Sequence, residues 1–265
     1  RTRARSWPGT GSTACCWMLE TVVGRWWRRP GRLGVAPRRF AWPTTLSEES
    51  LTGRGLARGV RAVTLRPLRR SDEIAWRRLR LVDDARLRPW EATIPPGTGE
   101  ELHHFRQYVR LQSQQARRGE AMPFVIEVDG DFAGQLTVAP IHWGSLSTAS
   151  LGYWIGSPWE GRGVVTLSVA MVLDHLLGPD VGLHRVEIDV RPENARSLAV
   201  CRRLGLQEEG LRRGLMHIDG AWADHLSFAV LAEDVAGQPG FVARLAERGA
   251  ERWAWSSAKD RKSVV

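Results

Sequence analysis

The chain has 265 residues, enough for one domain of ordinary size, and its 43% hydrophobic and 25% charged residues are typical of a folded globular protein. This composition excludes a collagen-like fibre, and no apolar run approaches the roughly 18 residues that a membrane-spanning helix needs. The net charge of +9 suggests a nucleic-acid binder, yet residues 1–61 hold 12 Arg against 3 Glu, while residues 62–265 hold 26 basic and 26 acidic side chains. We therefore expect no direct nucleic-acid binding by the folded part.

The three cysteines fit neither a disulfide framework nor a zinc site, because two are adjacent at Cys15 and Cys16 and the third is Cys201. The apolar stretch 14–24 contains Glu20, which makes it a poor export signal. We expect a cytoplasmic protein that binds no metal and does not associate with a membrane.

Residues 1–60 form a basic extension rich in Trp and Arg, with no sustained helical or strand period. We predict from this composition that the extension is disordered or non-native. The initial Arg also fits a reading frame extended upstream of its true start. The alternative is a basic arm that binds RNA or a membrane surface, because Arg pairs with phosphates and Trp stacks on bases.

Regular elements begin after this extension, and alternation or helical spacing of apolar residues identifies them. The first half is predicted to contain a strand at 63–67, a helix from Ser71 or Asp72 to about Asp83 with apolar Ile74, Leu79, Leu81 and Val82, a helix from the capping box Thr98-x-x-Glu101 to about Arg118, and strands at 124–128 and 133–138 joined by an Asp129-Gly130 turn. The second half is predicted to contain a strand at 150–155, a helix at about 164–177, a strand at 184–190, a helix ending at Leu204-Gly205, and strands at 206–215 and 226–231 separated by an Asp219-Gly220 turn.

This order of elements predicts one α/β domain over 61–236, a mixed sheet flanked by helices. A tail over 237–265 follows, and it contains the only two lysines of the chain, Lys259 and Lys262, against 36 arginines. We hypothesise that the last residues are translated sequencing adapter in place of the authentic C-terminus; the alternative is a short charged tail.

The glycine loop Gly161-Arg162-Gly163, between a strand and a helix, carries the clearest chemistry. Glycines let the backbone approach a ligand closely, and the first amides of the following helix suit a pyrophosphate. The loop is not a Walker loop, because no Gly-Lys-Ser/Thr follows, and it lacks the third glycine of a dinucleotide fingerprint. Alone, it is equally consistent with a tight strand-to-helix turn.

Several further motifs in a set order extend this observation. They are Leu-Arg-Pro at 65–67, Leu-Arg-Pro-Trp-Glu at 87–91, Gly-Tyr-Trp-Ile at 152–155, His-Arg-Val-Glu at 184–187, Pro-Glu-Asn-Ala-Arg-Ser at 192–197 and Ile-Asp-Gly-Ala-Trp-Ala-Asp-His at 218–225. Together with the glycine loop they make residues 63–235 resemble a GCN5-related N-acetyltransferase (GNAT), and within it the RimJ/RimL group of ribosomal-protein-alanine N-acetyltransferases.

The resemblance implies the GNAT fold, with a mostly antiparallel, splayed central sheet, and acetyl-CoA as co-substrate. It places the cofactor between the strand ending at Ile155 and the strand ending near Val190. The implied cofactor-binding residues are Trp154, Ile155, Glu160, Gly161, Arg162, Gly163, Val164, Val165, Thr166, Asn194 and Ser197, and the implied substrate-lining residues are Trp90, Glu91, His217 and Trp222.

Ser197 is the candidate general acid for the leaving thiolate; the alternative is a plain serine in the first turn of a helix. The sequence departs from the family pattern at three positions: Pro158 stands where Gln or Arg is frequent, Cys201 stands where relatives often have Tyr, and Met216 stands where the RimL-like pattern has Glu. The general base is therefore unassigned. The candidates are Glu187, Asp189, His217, Asp219 and Asp224, or a chain of waters.

The resemblance implies acetylation of a protein N-terminal α-amine, of the ribosomal-protein kind, by a monomer or homodimer. Two alternatives remain open. A deep acidic pocket would favour a small amine such as a polyamine or an antibiotic, whereas an open groove beside Trp90 and Trp222 would favour a peptide. The second alternative is a sensor that binds acyl-CoA without transferring its acyl group.

Overall fold

A computed structural model of the chain describes residues 40–51, 55–98 and 104–250. Most of the predicted N-terminal extension, with Cys15 and Cys16, lies outside the described residues. So do Glu101 of the predicted capping box and the tail from residue 251, including both lysines. In the part that the structure describes, no helix is long and apolar enough to cross a membrane.

The residues that the structure describes form one eight-stranded sheet with helices on both faces. The strands are β1 (Leu46–Glu48), β2 (Val63–Pro67), β3 (Met122–Val128), β4 (Asp131–His142), β5 (Thr148–Ile155), β6 (Arg185–Val190), β7 (Gln207–Ile218) and β8 (Ala221–Leu231), in the spatial order β1-β2-β3-β4-β5-β6-β8-β7. Every neighbouring pair is antiparallel except β5 with β6. The predicted fold class, a mostly antiparallel sheet flanked by helices, is therefore confirmed.

The described residues form the helices α1 (Glu73–Val82), α2 (Asp84–Leu87), α3 (Phe105–Arg118), α4 (Val164–Leu177), α5 (Ala195–Leu204) and α6 (Ala232–Val235), and residues 241–250 are also helical. Short 3-10 turns occupy Arg70–Asp72, Arg88–Trp90 and Ser157–Trp159. Glycines end α3 and α5, since Gly119 and Gly205 take the left-handed conformation that a side chain disfavours.

Two hydrophobic clusters cover the two faces of the sheet. We call the first the α4 face, because α4 is buried along almost its whole length between the sheet and α5. The second is the α1 face, where α1 and α3 cover Val125 and Phe132. The two layers explain why α4 is apolar on all sides, whereas α3 is amphipathic.

Helix α1 buries a different side from the one its apolar residues predicted. Ile74, Leu81 and Val82 are 83%, 79% and 71% exposed. The residues that pack on the sheet are Ala75, Trp76 and Leu79. The prediction was wrong for three of its four apolar residues because the large Trp76 ring determines which side of this short helix faces the core.

The folded domain extends beyond both predicted boundaries. At the N-terminal side, β1 pairs with β2, and Phe40, Leu51 and Leu56 are buried in the first cluster. At the C-terminal side, Phe241 and Leu245 join the same cluster. The Asp174 carboxylate on α4 accepts hydrogen bonds from the backbone N–H groups of Phe241 and Val242, at 2.6 and 3.1 Å, which fixes the start of the last helical segment.

The two hairpins form where the turn residues predicted them. Asp129 and Gly130 have φ values of 53° and 95°, and Asp219 and Gly220 have 46° and 85°, as a two-residue turn of type I′ requires. Strands β7 and β8 are longer than predicted and run up to the second turn, since pairing continues through residues 216–223.

Candidate active site

The cleft opens where β5 and β6 separate. These parallel strands pair only where Thr148–Ser150 of β5 lies beside Arg185–Glu187 of β6. Beyond Ser150, β5 continues to pair with β4 on its other side, so its edge from Leu151 to Ile155 faces a cleft of about 1280 Å³. A free strand edge of this kind presents backbone donors and acceptors to an extended ligand.

The glycine loop and the start of α4 lie at one end of this cleft. Gly163 is the N-cap of α4 with φ of 88°, and no side chain caps the helix. The first amides of α4 are therefore available to an anion, and Val164, Val165 and Thr166 all line the cleft. The loop that the sequence predicts to bind a pyrophosphate thus lies beside the cleft, at the start of α4.

A segment before β2, which the sequence analysis assigned to the extension, packs on the glycine loop. Arg58 donates from its backbone N–H to the Arg162 carbonyl and from its guanidinium to the Gly161 carbonyl, both at 2.8 Å. A Cβ on Gly163 would lie 2.8 Å from the Leu56 carbonyl oxygen. The Arg58 side chain lines the cleft, which brings a cation to the end of the cleft that holds the glycine loop.

Ionic contacts hold the loop from the other side. The Glu160 carboxylate lies 2.6 Å from Arg196 at the start of α5 and 3.7 Å from Arg86 in α2. Arg86 also contacts Asp83, and the Asp83 carboxylate accepts a hydrogen bond from the Ser157 N–H at 2.7 Å. Burial works against the Asp83 charge, but these two contacts outweigh it and lower the pKa of Asp83.

Ser197 faces the cleft with a hydroxyl that takes no part in capping α5. The cap is Asn194, whose side chain accepts the Ser197 N–H at 3.1 Å. The Ser197 Oγ instead lies 2.7 Å from the hydroxyl of Tyr153 on β5. Burial raises the pKa of Tyr153, so this phenol stays protonated. The two hydroxyl groups carry two hydrogens, and the hydrogen bond between them uses only one.

Cys201, one turn after Ser197, is a neutral core residue. Its side chain is fully buried, and burial raises the pKa of its thiol to about 12. A thiol with that pKa is not a nucleophile at neutral pH.

The opposite side of the cleft, on the α1 face, is lined by aromatic and amide side chains. The buried Gln135 accepts from Trp76 Nε1 at 3.3 Å and donates to the Tyr108 hydroxyl at 2.7 Å. The Arg80 guanidinium lies 4.9 Å from the Trp76 ring centroid and 5.6 Å from that of Trp154. This polar network was not predicted, because no local motif links β4 to α1 and α3.

Trp90 and Glu91 line the cleft, as predicted for substrate contacts. The Glu91 carboxylate forms an ion pair with Arg80 at 2.6 Å. Arg191 lies over the Trp90 ring, 5.6 Å from its centroid, and donates to the Pro89 carbonyl at 2.9 Å. Both residues are therefore held in place before any acceptor binds.

His217 and Trp222 do not line the cleft. His217 is buried and its Nδ1 lies 2.8 Å from the Thr93 hydroxyl, while Trp222 is 64% exposed and packs edge-on against the His217 ring. They support the loop after Glu91 from the β7–β8 hairpin, and their direct contact with a substrate stays a prediction. Arg162 is also absent from the lining, and only its carbonyl contacts Arg58.

The remaining predicted cofactor residues line the cleft: Trp154, Ile155, Glu160, Gly161, Gly163, Val164, Val165, Thr166, Asn194 and Ser197. Of the base candidates, only Asp189 does so. Asp189 accepts from the Ser227 hydroxyl at 2.6 Å and lies 3.7 Å from Arg212. Glu187 contacts Arg185 and Arg212, and Asp224 accepts the Gly214 N–H at 2.7 Å.

Comparison with known proteins identifies the family. Residues 62–207 match the family model described as acetyltransferase (GNAT) domain. The chain therefore belongs to the GNAT family, as its motifs predicted.

Within this family the chain resembles RimJ and RimL proteins. The structure of Mycobacterium smegmatis RimJ in complex with CoA-disulfide is 39% identical and superposes with a TM-score of 0.69, over 79% of this chain and 96% of that chain. The [ribosomal protein uS5]-alanine N-acetyltransferase of Escherichia coli is 26% identical over 173 residues, 62% of this chain and 85% of that protein. The probable N-acetyltransferase YjcK of Bacillus subtilis is 34% identical over 106 residues, which span 40% of this chain and 58% of that protein.

Proposed function

We propose that this protein transfers the acetyl group of acetyl-CoA to the N-terminal α-amine of a protein, such as a ribosomal protein. The observation that carries the proposal is that β5 separates from β6 and leaves a strand edge in the same cleft as the glycine loop and the start of α4. This arrangement provides a strand edge for the pantetheine amides and backbone donors for the pyrophosphate in one continuous cleft. The similarity to enzymes named for ribosomal-protein acetylation supports the choice of acceptor.

In this proposal, the pantetheine arm lies along the free edge of β5, and the pyrophosphate contacts the amides from Gly161 to Thr166. The Arg58 guanidinium adds positive charge at the same end. The thioester then lies near Ser197, because the Tyr153–Ser197 pair projects into the cleft from β5 and α5.

The reaction is direct attack of the amine nitrogen on the thioester carbonyl carbon. A C–N bond forms, negative charge develops on the carbonyl oxygen, and a backbone N–H of β5 stabilises that charge. The amine nitrogen gives up one proton to a base or a water in the cleft. The C–S bond breaks, and the thiolate takes the Ser197 proton, which Tyr153 replaces through their hydrogen bond. An α-amine has a pKa of about 7.7–8.0, so roughly a tenth or more is neutral and reactive at pH 7.

The charge of the cleft favours a peptide over a polyamine. Among its described lining residues, seven are arginines and three are acidic. Two of the three acidic side chains, Glu91 and Glu160, are already paired with arginines, so no unpaired acidic cluster is offered to a polycation. The aromatic side of the cleft, with Trp76 and Trp90, suits the first residues of an extended chain.

We place this reaction in the cytoplasm, where acetyl-CoA and newly made proteins are both present, and we expect a monomer or homodimer. The test uses the full chain, acetyl-CoA and a pool of peptides that differ in their first residue. Mass spectrometry locates the acetyl group, and we expect it on α-amines alone, most strongly on Ala or Ser.

Two outcomes would redirect the proposal. Acetylation of free small amines with every peptide untouched would establish the small-molecule alternative. CoA binding with no transfer to any amine would establish the sensor. A parallel reaction without the protein separates enzymatic transfer from the spontaneous reaction of acetyl-CoA with amines.

A further inference from the structure

We propose that His225 is the proton acceptor for the attacking amine, an assignment that rests on the proposed acetyl transfer. His225 is the last residue of the motif at 218–225, but that motif assigned it no role. It lies on β8, it is 3% exposed, and it lines the cleft. It is the only histidine among the described residues that line the cleft.

The strand pairing places His225 on the same face of the sheet as Asp189, which also lines the cleft. Asp189 pairs with Ser227, and Arg212 pairs with His225, so these side chains share one face of the sheet. Ala223, two residues before His225, shares that face and is opposite Met216. Met216 also lines the cleft, so His225 and Met216 face the same volume from neighbouring strands.

A backbone contact selects the reactive nitrogen of His225. Its Nδ1 lies 3.0 Å from the carbonyl oxygen of Ala223, and a carbonyl can only accept, so Nδ1 carries a hydrogen. In the neutral imidazole the lone pair is then on Nε2. Nε2 has no hydrogen-bond partner within the described residues, and it is not sealed in the core, so it is available to a group in the cleft.

The nearby carboxylates are engaged elsewhere. Asp189 accepts from the Ser227 hydroxyl and lies near Arg212, and Glu187 lies 2.7 Å from Arg185 and 3.2 Å from Arg212. Arg212 is opposite His225, and the two carboxylates on β6 offset its charge. Nε2 of His225 is therefore an unengaged acceptor among side chains whose charges are already paired.

The proposed step is balanced. As the amine nitrogen bonds to the carbonyl carbon, Nε2 of His225 takes one proton from that nitrogen. The C–S bond breaks, and the departing sulfur takes one proton from Ser197. His225 then releases its proton through the open cleft, and the Ser197 hydroxyl is restored through Tyr153 and solvent. The products are the amide and free CoA.

The test compares His225→Asn with the wild-type full chain on a peptide substrate. Asparagine keeps a donor close to the position of Nδ1, so the contact with the Ala223 carbonyl is retained while the Nε2 acceptor is lost. We expect kcat to fall by about 10²-fold at pH 7, with KM for acetyl-CoA changed by less than about twofold. The deficit should narrow toward pH 9, because more of the amine is already neutral.

Two further variants make the result decisive. His184→Asn makes the same chemical change at a residue that does not line the cleft, and it should retain wild-type activity. Adding Met216→Glu to His225→Asn places a carboxylate on the same face and should recover at least about tenfold of the lost rate. A merely structural role for His225 would give no such recovery.

The proposal is overturned if His225→Asn keeps the wild-type kcat and pH profile. If that variant does not fold, as judged by its melting temperature and CoA binding, His225→Gln is measured against the same criteria. A wild-type protein that acetylates no amine would contradict the proposed function as well, whereas an active wild type with an equally active variant would contradict only the role of His225.

Discussion

The half of the cleft that we propose for the cofactor and the half that we propose for the acceptor are formed by different chemical groups. The cofactor half consists mainly of backbone: the free edge of β5, the glycine loop and the first turn of α4. The acceptor half consists of side chains from distant strands and helices, such as Trp76, Gln135 and His225. Backbone recognition needs only glycines and a helix start and is therefore visible as a local motif, whereas side-chain recognition depends on how strands pair.

Ser197 is the strongest test of this division, because it is the side chain in the cofactor half that we propose gives its proton directly to the thiolate. Replacing it with Ala removes the proton donor for the thiolate, and we expect kcat to fall by about 10²-fold with little change in KM for acetyl-CoA. Steady-state kinetics measures both constants. Tyr153→Phe keeps Ser197 and should lower kcat by a smaller factor than Ser197→Ala does. A Ser197→Ala enzyme with normal kcat would show that Ser197 has no part in the mechanism.

The two loop glycines offer a matched comparison. Both have positive φ, 69° at Gly161 and 88° at Gly163, but a Cβ at Gly161 meets nothing within 4 Å, while one at Gly163 lies 2.8 Å from the Leu56 carbonyl oxygen. We expect Gly163→Ala to raise KM for acetyl-CoA by about 10-fold or more, since it adds a backbone clash to the roughly 1–2 kcal/mol cost of the left-handed conformation. Gly161→Ala should raise it by only a few-fold.

If the two glycine variants behave alike, the packing of Leu56 on the loop has no part in cofactor binding. Calorimetric titration with CoA and the melting temperature of each variant distinguish weaker binding from loss of the fold.

Arg58 tests whether the segment before β2 belongs to the cofactor half. Its guanidinium lines the cleft and donates to the Gly161 carbonyl. Arg58→Ala should raise KM for acetyl-CoA by about fivefold, and the difference should shrink at high salt because the charge is screened. Arg61→Ala is the control, since the Arg61 side chain is 81% exposed and contacts Asp129 instead. Equal KM values for the two variants would leave only a packing role for this segment.

Asp83→Asn should have the smallest effect on activity and a measurable effect on stability. The Asp83 side chain is 5% exposed and contacts Arg86 and the Ser157 N–H. We expect the unfolding free energy at pH 7 to fall by about 2 kcal/mol. The lowered pKa of Asp83 means that its contribution is present above the unfolded pKa, about 3.9, and is lost as pH falls through the folded value.

Urea unfolding at pH 7 and at about pH 3 measures this prediction, and the difference between Asp83→Asn and the wild type should be smaller at the lower pH. A constant difference across this range would mean that the lost contact is not a charge interaction.

The fold was predictable wherever a local pattern determines burial. The hairpin turns Asp129-Gly130 and Asp219-Gly220 require residues that tolerate positive φ, and the sequence has them at both places. Helix α1 shows the limit, because a ten-residue helix with apolar residues on two sides does not indicate which side packs. The residues before β2 show another limit, because β1 has three residues and no period to detect.

The candidate site divides in the same way. The amino-acid sequence by itself determined the glycine loop, the helix start at Asn194 and the motifs of the GNAT family, since each depends on neighbours within a few residues. Only the tertiary structure decided that Tyr153 meets Ser197, that Arg58 reaches the loop, and that His225 rather than His217 lines the cleft. Strand register decides such contacts, because a shift of one residue moves every side chain to the opposite face of a sheet.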